Sequence, residues 1–300
     1  MYGSRKMLFA DLSMLLITIS WGYSFILAKD LLVEMTPLFY TGSRFLLAAI
    51  LLGLLQWKKL KYMNRLCLQA GSLAGVFLCV AYTAQIFGIG LTTPGKAGVI
   101  TSTSVVIVPF LYFIFSRMHI QKGPIIGCVS AFIGLCLISW DGSWQGVNLG
   151  DLMVLICAVF FAIHLVYVDR TYIKLPDLDP MLFTIVQLTT VGVIDMIIAL
   201  FLEPVPTNLS GYGWFAYLFA VIVGTLLGYM VQMHVQLNVS PMRVSLIFSL
   251  ESVFAFGFSW LIWGEPVSSS ILFGVLLLLT GIYITEFSNS SLTSKYGEME

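Results

Sequence analysis

The amino-acid sequence predicts an all-α polytopic membrane protein with ten transmembrane helices arranged as two inverted five-helix repeats. Hydrophobic residues make up 59% of the 300-residue chain and charged residues only 10%, whereas a soluble domain carries about 25% charged residues. The mean hydropathy is +0.95. These values place the chain in the membrane class. The apolar runs and an internal repeat predict the number and arrangement of the helices.

Apolar runs of membrane-spanning length follow one another along the whole chain. A helix that crosses the hydrocarbon core needs about 20 mostly apolar residues. The sequence contains ten such runs, at 7–28, 36–57, 67–91, 97–116, 122–140, 150–168, 180–202, 213–235, 241–263 and 268–287. Their short connections leave no room for a soluble domain. Residues 288–300 are polar, and we expect them to form a disordered cytoplasmic tail.

The distribution of Lys and Arg residues predicts the orientation. If the N-terminus lies in the cytoplasm, the outer connections carry only Lys29 and Lys96. The cytoplasmic side then carries Arg5, Lys6, Lys58, Lys59, Lys61, Arg65, Arg117, Lys122, Arg170, Lys174, Arg243 and Lys295. Cytoplasmic loops are enriched in basic residues. We therefore expect a multi-pass protein of the cell membrane with both termini in the cytoplasm.

Two short phrases reveal an internal repeat. "YTAQ" at Tyr82–Gln85 recurs as "YMVQ" at Tyr229–Gln232, 147 residues later. The same offset relates Pro94 to Pro241, Lys96 to Arg243, Gly127 to Gly274 and Gly134 to Gly281, and an offset of 140 relates Asp11 to Asp151. We assign the repeats to residues 1–145 and 146–287. Because each contains five predicted spans, an odd number, the second repeat enters the membrane from the opposite side, as in many secondary transporters.

Four longer phrases resemble a known family. They are "ISWGYSFILAKDLL" in the first span, "TPLFYTGSRFLLAAILL" in the second, "AGVITSTSVVIVPFLYFIF" in the fourth, and "RVSLIFSLESVFAFGFSWLIWGEPVSSSILFGVLLLLTGIYI" from the ninth onward. Together they are similar to the EamA family of the drug/metabolite transporter superfamily. The resemblance implies ten helices in two inverted repeats and the export or exchange of small metabolites, often amino acids. Trp21, within the first phrase, joins the candidate substrate-binding residues.

Glu251 stands alone in an apolar run. A charge at a helix centre costs about 2.5–3.5 kcal/mol on the translocon scale, so such residues are functional candidates. Glu251 either pairs with a cation such as Arg44 and stabilises the bundle, or faces a central cavity, where it binds a substrate amino group or carries a proton. Its repeat counterpart is Ser104, without charge, which favours the cavity. Arg44 itself either packs and reaches the interface or anchors an anion.

Other polar residues complete the candidate site. Tyr82 and Gln85 share one helical face, and Tyr229 and Gln232 repeat that face. Such faces point inward in a membrane, either for helix packing or toward a substrate cavity, and their recurrence favours the cavity. His164 is more typical of a hydrogen-bonded packing residue, with a proton relay as the alternative. The candidate substrate-binding residues are therefore Trp21, Arg44, Tyr82, Gln85, Ser104, His164, Tyr229, Gln232 and Glu251.

These features favour a secondary transporter, an exporter or exchanger, of a small polar or zwitterionic metabolite such as an amino acid. Alternatives are a nucleotide-sugar or sugar-phosphate exchanger, which needs several basic cavity residues, and a non-transporting receptor or subunit. Enzyme motifs such as HExxH and GxSxG are absent from the sequence, so we expect no enzyme, metal or cofactor. Expected partners are the substrate, the lipid bilayer, and protons or a counter-substrate, but no nucleic acid, with a monomer or homodimer as the assembly.

Overall fold

The computed structural model describes residues 2–116, 122–139, 148–264 and 268–289, and all regular structure in these ranges is helical. The α-helices are α1 Tyr2–Leu31, α2 Pro37–Leu55, α3 Arg65–Leu91, α4 Pro94–Ser102, α5 Ser104–Ser116, α6 Lys122–Ser139, α7 Leu149–Lys174, α8 Pro180–Leu202, α9 Gly211–Phe219, α10 Gly228–Val235, α11 Pro241–Ser249, α12 Glu251–Trp263 and α13 Ser269–Asn289. A 3₁₀ turn spans Leu60–Tyr62, and a π-helical segment, Ala220–Leu227, joins α9 to α10.

Eight helical stretches of the described chain are long and apolar enough to cross a membrane. They are Ala10–Leu31, Pro37–Leu55, Arg65–Leu91, Pro94–Phe115, Leu149–Lys174, Pro180–Leu202, Gly211–Val235 and Pro241–Ile262. The chain is therefore a multi-pass membrane protein, and eight of the predicted spans are confirmed as candidate spans. Helices α6 and α13 occupy the fifth and tenth predicted spans but contain shorter apolar stretches. Ten crossings stay a prediction. The repeat boundary at 145/146 and residues 290–300 of the predicted tail lie outside the described residues.

Capping residues define where the helices begin after the connections between spans. Proline occupies the first turn of α4, α8 and α11, where its missing N–H costs nothing. The residues just before these prolines are Thr93, Asp179 and Ser240, and each side chain accepts a hydrogen bond from a backbone N–H of its helix. Such caps satisfy donors that a helix terminus leaves unpaired. The chain therefore reverses within a few residues between these helices.

Two spans break at positions related by the repeat. Helices α4 and α5 meet at Thr103, with φ −62° and ψ −14°. Helices α11 and α12 meet at Leu250, with φ −63° and ψ −17°. Each helix boundary around the first break reappears 147 residues later around the second. The offset read from the sequence is therefore present in the local backbone structure.

Glycines bring α6 and α13 into close contact. A Cβ atom added to Gly134 would lie 2.5 Å from the carbonyl oxygen of Gly274, and one added to Gly281 would meet the carbonyl oxygen of Gly127. The Ser130 hydroxyl also donates to the carbonyl oxygen of Leu277 at 2.9 Å. Small residues are the usual means of close approach between membrane helices. These four glycines, which the repeat offset relates in pairs, therefore lie where the two helices approach most closely.

Hydrogen bonds and ion pairs define the two ends of the bundle. At one end, here called the Glu34 end, the Glu34 carboxylate accepts from both the hydroxyl and the backbone N–H of Ser210, each at 2.7 Å. These two hydrogen bonds, the hydroxyl's first, hold the pKa of Glu34 below its usual value. At the opposite end, here called the Asp179 end, Lys59 pairs with Asp179 at 2.8 Å. The two contacts tie connections of the first half of the chain to those of the second.

Candidate functional site

A cavity lies in the half of the bundle nearer the Glu34 end. Its lining includes Ala28 near the end of α1, Tyr40 near the start of α2 and Ile89 near the end of α3. The space between its walls is about 640 Å³, a figure that includes space open to solvent. The wall combines polar and aromatic side chains. They are Ser24, Thr41, Arg44, Gln85, Thr101 and Glu251, with Trp21, Phe25, Tyr40, Tyr82 and Phe161.

Arg44 enters this cavity from α2 with 7% of its surface exposed. Its guanidinium carbon lies 4.9 Å from the ring centres of Tyr40 and Phe45 and 5.0 Å from that of Tyr82. The Nη1 atom also donates to the Tyr40 hydroxyl at 2.9 Å. Within the described chain no carboxylate lies at ion-pair distance from Arg44. Aromatic faces hold the cation, and the guanidinium forms no ion pair with the described residues.

Glu251 faces the same cavity from the first residue of α12 and is also 7% exposed. Its position follows from the break at Leu250, which starts a new helix there. A carboxylate in the first turn of a helix interacts favourably with the helix dipole. Among the described residues Glu251 forms no ion pair, with Arg44 or any other cation. The alternative that Glu251 and Arg44 pair to stabilise the bundle is therefore not what the structure shows.

Trp21 and Gln85, two more of the candidate residues, also line the cavity. The Trp21 indole N–H donates to the carbonyl oxygen of Gly224 at 2.7 Å, within the π-helical segment. π-Type turns leave altered backbone hydrogen bonding and are frequent at functional sites. The Gln85 amide donates to the Thr101 hydroxyl at 3.3 Å, which joins α3 to α4. Tyr82, Arg44 and Glu251 line it as well, so five of the nine candidate residues meet at one cavity.

The other four candidates do not line this cavity. Tyr229 is fully buried behind it, with its ring 6.2 Å from Trp21 and 6.3 Å from Tyr82. Gln232 is fully buried and donates to Gln236 at 3.1 Å. The expectation that both Tyr/Gln pairs face one cavity is therefore corrected: the first pair does, and the second pair packs between helices. The cavity lies at one end of the bundle, so residues related by the repeat meet different surroundings.

His164 and Ser104 also lie away from the cavity. His164 is fully buried, and its Nε2 atom lies 2.7 Å from the Oε1 atom of Gln187. This matches the favoured interpretation of His164 as a hydrogen-bonded packing residue. Ser104 is buried at the start of α5, beside the break at Thr103. It holds the place in the first repeat that Glu251 holds in the second, without reaching the cavity.

Asp195 is a fully buried carboxylate in α8, outside the cavity lining. Its Oδ1 atom accepts from the Thr83 hydroxyl at 2.8 Å and from the Cys79 thiol at 3.3 Å. The backbone around it packs against Gly42, whose added Cβ would lie 3.2 Å from the Asp195 carbonyl carbon. The hydroxyl of Thr83 and the thiol of Cys79, both on α3, therefore hold this carboxylate in place.

Several cavity residues were not predicted. Tyr40 could have been found from the sequence, because it precedes Arg44 by four positions and so shares its helical face. Cys157 and Phe161 line the opposite wall from α7, but one is a lone cysteine and the other an ordinary apolar residue of a span. Nothing in the local sequence distinguishes them. Only the packing of α7 against the first half of the chain brings them to the cavity.

Known proteins are similar to this chain in sequence and in fold. The model of the EamA-like transporter family matches residues 8–140 and again residues 148–287. A protein of Archaeoglobus fulgidus named as an uncharacterized transporter is 27% identical over 279 residues, covering 93% of this chain and 86% of that protein. The uncharacterized transporter YoaV of Bacillus subtilis is 23% identical, covering 93% and 97%. A solved crystal structure that is 14% identical has a TM-score of 0.72 and covers 94% of this chain and 98% of that one, a likeness of fold alone.

Proposed function

The chain belongs to the EamA-like transporter family, and on this basis we propose that it is a secondary transporter that exports or exchanges a small zwitterionic metabolite such as an amino acid. Its relatives from Archaeoglobus fulgidus and Bacillus subtilis bear the name transporter, which supports a membrane transporter. The proposal about the substrate rests on the side chains that line the cavity.

One observation supports a zwitterion above other solutes: Arg44 and Glu251 line the same cavity and are not paired with each other. Buried charges are unfavourable unless they are paired and hydrogen-bonded. A solute with both a carboxylate and an ammonium group satisfies both side chains at once. Arg44 then binds the carboxylate, and Glu251 binds the ammonium group. The aromatic wall contacts the carbon skeleton.

The composition of the wall disfavours the alternative of a sugar phosphate or nucleotide sugar. Such substrates carry one or two phosphate groups, and phosphate sites use several Lys or Arg side chains. Among the described residues that line the cavity, Arg44 is the only basic one. Glu251 would also repel a phosphate. A solute with one negative and one positive group fits this wall better.

The proposed orientation follows the distribution of basic residues. Connections at the Asp179 end carry most of the Lys and Arg, so that end faces the cytoplasm and the Glu34 end faces outward. The cavity then lies in the outer half of the protein. The two family-model matches at 8–140 and 148–287 support two repeats, and five spans in each give them opposite orientations across ten crossings of the cell membrane.

An aromatic layer closes the cavity toward the Asp179 end. Trp21 packs 4.7 Å from Phe248, and Tyr229 lies 6.1 Å from Phe45. In an alternating-access cycle this layer opens after the outer end closes over the solute. Closing the empty cavity would bury Arg44 and Glu251 without partners. That cost favours exchange of one solute for another, or neutralisation of Glu251 by a proton, over return of the empty carrier.

The test is a binding and flux experiment with three solutes of one shape. Purified protein is given an amino acid, the matching amine without the carboxylate, and the matching acid without the ammonium group. We expect only the amino acid to raise the thermal stability and to exchange across proteoliposomes, because a ligand stabilises the state that binds it. Equal effects of all three solutes would contradict the two-charge site, and binding without flux would favour a receptor.

Two substitutions assign the charges. Arg44→Gln should remove the preference for the amino acid over the amine, and Glu251→Gln should remove its preference over the acid. Asp177→Asn changes an exposed residue outside the spans and serves as the control for a loss of one charge. If neither variant changes the order of preference among the three solutes, Arg44 and Glu251 do not recognise the carboxylate and ammonium groups of the substrate.

A further inference from the structure

A cluster of buried polar side chains begins at the aromatic layer, of which Tyr229 is a member, and continues toward the Asp179 end. It consists of Tyr229, Gln232 and Gln236 around α10, with His164 of α7 and Gln187 of α8, and is here called the inner cluster. All five side chains are buried. Their groups are a phenol, an imidazole and three amides. The proposed outer cavity uses none of them.

The inner cluster is only partly satisfied by hydrogen bonds. The Gln187 amide donates to the Phe183 carbonyl oxygen and to the Met233 sulfur, and the Gln236 amide donates to the Leu165 carbonyl oxygen at 3.2 Å. Two buried atoms of the cluster have no hydrogen-bond partner in the described part of the chain. They are the Nδ1 atom of His164 and the Oε1 atom of Gln232. Unpaired buried polar atoms are uncommon and call for an explanation.

The repeat relates two members of the inner cluster to the outer cavity. Tyr229 and Gln232 stand 147 positions after Tyr82 and Gln85, which line that cavity. In an inverted repeat, the environment of one half in one state becomes that of the other half in the opposite state. The two Tyr/Gln pairs differ in this structure because only one end has a cavity. Exchange of the two conformations would place Tyr229 and Gln232 on an open wall.

We propose that the inner cluster is a second, cytoplasm-facing solute site that is collapsed in this conformation. The inference rests on the proposed transport function. After the switch, His164, Tyr229 and Gln232 line the inward opening, and their polar groups hydrogen-bond the same small zwitterionic solute. The inner cluster contains no guanidinium or carboxyl group, whereas the outer cavity has those of Arg44 and Glu251. The inner site therefore holds the solute less tightly, which permits its passage to or from the cytoplasm.

The π-helical segment provides a means of exposing the inner cluster. It spans Ala220–Leu227 and ends directly before α10, which carries Tyr229 and Gln232. π-Type segments contain extra residues relative to an α-helix. Loss of one such residue from the hydrogen-bonding register turns the following helix by about 100°. A rotation of that kind would redirect the Tyr229–Gln232 face away from its present packing.

The experiment measures access to matched cysteines. Gln85→Cys and Gln232→Cys are made separately in a background whose five native cysteines are replaced by serine, and Leu188→Cys, at a fully buried apolar position, is the control. A charged, membrane-impermeant thiosulfonate is applied from outside or from the cytoplasmic side. We expect Gln85→Cys to react from outside and Gln232→Cys from the cytoplasm. If the inward state has a population of about 10%, Gln232→Cys reacts at about one tenth of the Gln85→Cys rate.

The outcomes separate this inference from the proposed function. If Gln85→Cys reacts from outside but Gln232→Cys is as inert as Leu188→Cys, the inner cluster is permanent packing and the inference is wrong. Reaction of Gln232→Cys only from outside overturns it as well. If Gln85→Cys itself is inert, the outer cavity, and with it the proposed function, fails. Should Gln232→Cys not fold, Tyr229→Cys on the same helical face gives the same readout.

Discussion

Lys96 and Asp151 form an ion pair of 2.7 Å between the start of α4 and the start of α7. The repeat supplies its counterpart at the opposite end, where Arg243 of α11 pairs with Asp11 of α1, also at 2.7 Å. In each pair the base belongs to one half of the chain and the acid to the other. The two ion pairs therefore tie the halves together at both ends of the bundle.

The Lys96–Asp151 pair should contribute more to stability than its counterpart. Asp151 has only 5% of its side chain exposed, whereas Asp11 has 30%. Lys96→Gln leaves a buried carboxylate without its cation, and we expect a loss of about 1–3 kcal/mol, between the values for exposed and buried pairs. Arg243→Gln should cost less. Thermal unfolding of both variants in detergent measures the order, and Lys96→Gln/Asp151→Asn should regain part of the loss. The reverse order would contradict the burial argument.

Tyr40 should position Arg44 for binding. Its hydroxyl accepts the hydrogen bond that Arg44 Nη1 donates, at 2.9 Å. Tyr40→Phe removes that bond and keeps the ring under the guanidinium, so we expect an unchanged fold. Substrate affinity should fall by about five- to tenfold, equivalent to about 1 kcal/mol or slightly more. Titration with the amino acid and its matching amine measures the effect, which should be confined to the amino acid. An equal loss for both solutes would show a general distortion of the cavity.

Glu251→Gln should fold normally and lose most of its transport. The substitution keeps the shape and hydrogen bonding of the side chain and removes its charge, and Glu251 is not part of an ion pair in the described structure. Flux into proteoliposomes is measured between pH 5 and pH 8, alongside the folded yield. Transport equal to wild type over this whole range would exclude Glu251 as both charge anchor and proton carrier. A loss of folded protein with normal flux per molecule would return it to a packing role.

The stability of the folded protein should depend on pH through the ionisation of Asp179. Burial alone would raise the pKa of Asp179, but hydrogen bonds from Lys59 and from the backbone of Leu182 and Met181 lower it. Its stabilising effect is therefore complete above the unfolded pKa of about 3.9 and is lost as the pH falls through the lower folded pKa. Asp179→Ala also removes a helix cap and should cost about 0.5–2 kcal/mol at pH 7.

Asp179→Asn separates the charge from the cap. Asparagine also caps helices, so this variant should lose only the charge-dependent part, and its difference from wild type should become smaller toward the acidic end of the range. Asp177→Asn, exposed two residues earlier, is the control. Unfolding temperatures between pH 3 and pH 7 test this. A constant difference between Asp179→Asn and wild type at every pH would refute the charge-linked contribution.

Gly281 should not tolerate even a substitution by alanine. An added Cβ would meet the Gly127 carbonyl oxygen and lie 2.8 Å from the Ala131 backbone nitrogen, both on α6. Gly281→Ala should therefore force α13 away from α6 and destabilise the protein by about 1–3 kcal/mol. Gly257 of α12 is the matched control, because a Cβ there meets nothing within 4 Å. Equal unfolding temperatures for the two alanine variants would show that the α6–α13 contact is not tight.

The sequence by itself determined the helical membrane class, the candidate spans and the repeat offset. The thickness of the bilayer requires a continuous apolar run for each crossing, and such runs are visible directly in the sequence. These features are therefore local properties of the chain. The offset that relates Tyr82 to Tyr229 also locates the helix breaks at Thr103 and Leu250. Glu251 and Arg44 were found because an ionisable residue in an apolar run is unusual in any fold.

Only the tertiary structure decided which of these residues meet. It shows that Arg44 and Glu251 share a cavity without pairing, and it brings Cys157 to the same wall. It also separates Gln85, which lines the cavity, from Gln232, which packs against Gln236. The physical reason is that a side chain's partner depends on the rotation and packing of several helices at once. Two identical local patterns therefore acquire different environments when the bundle has a cavity at one end only.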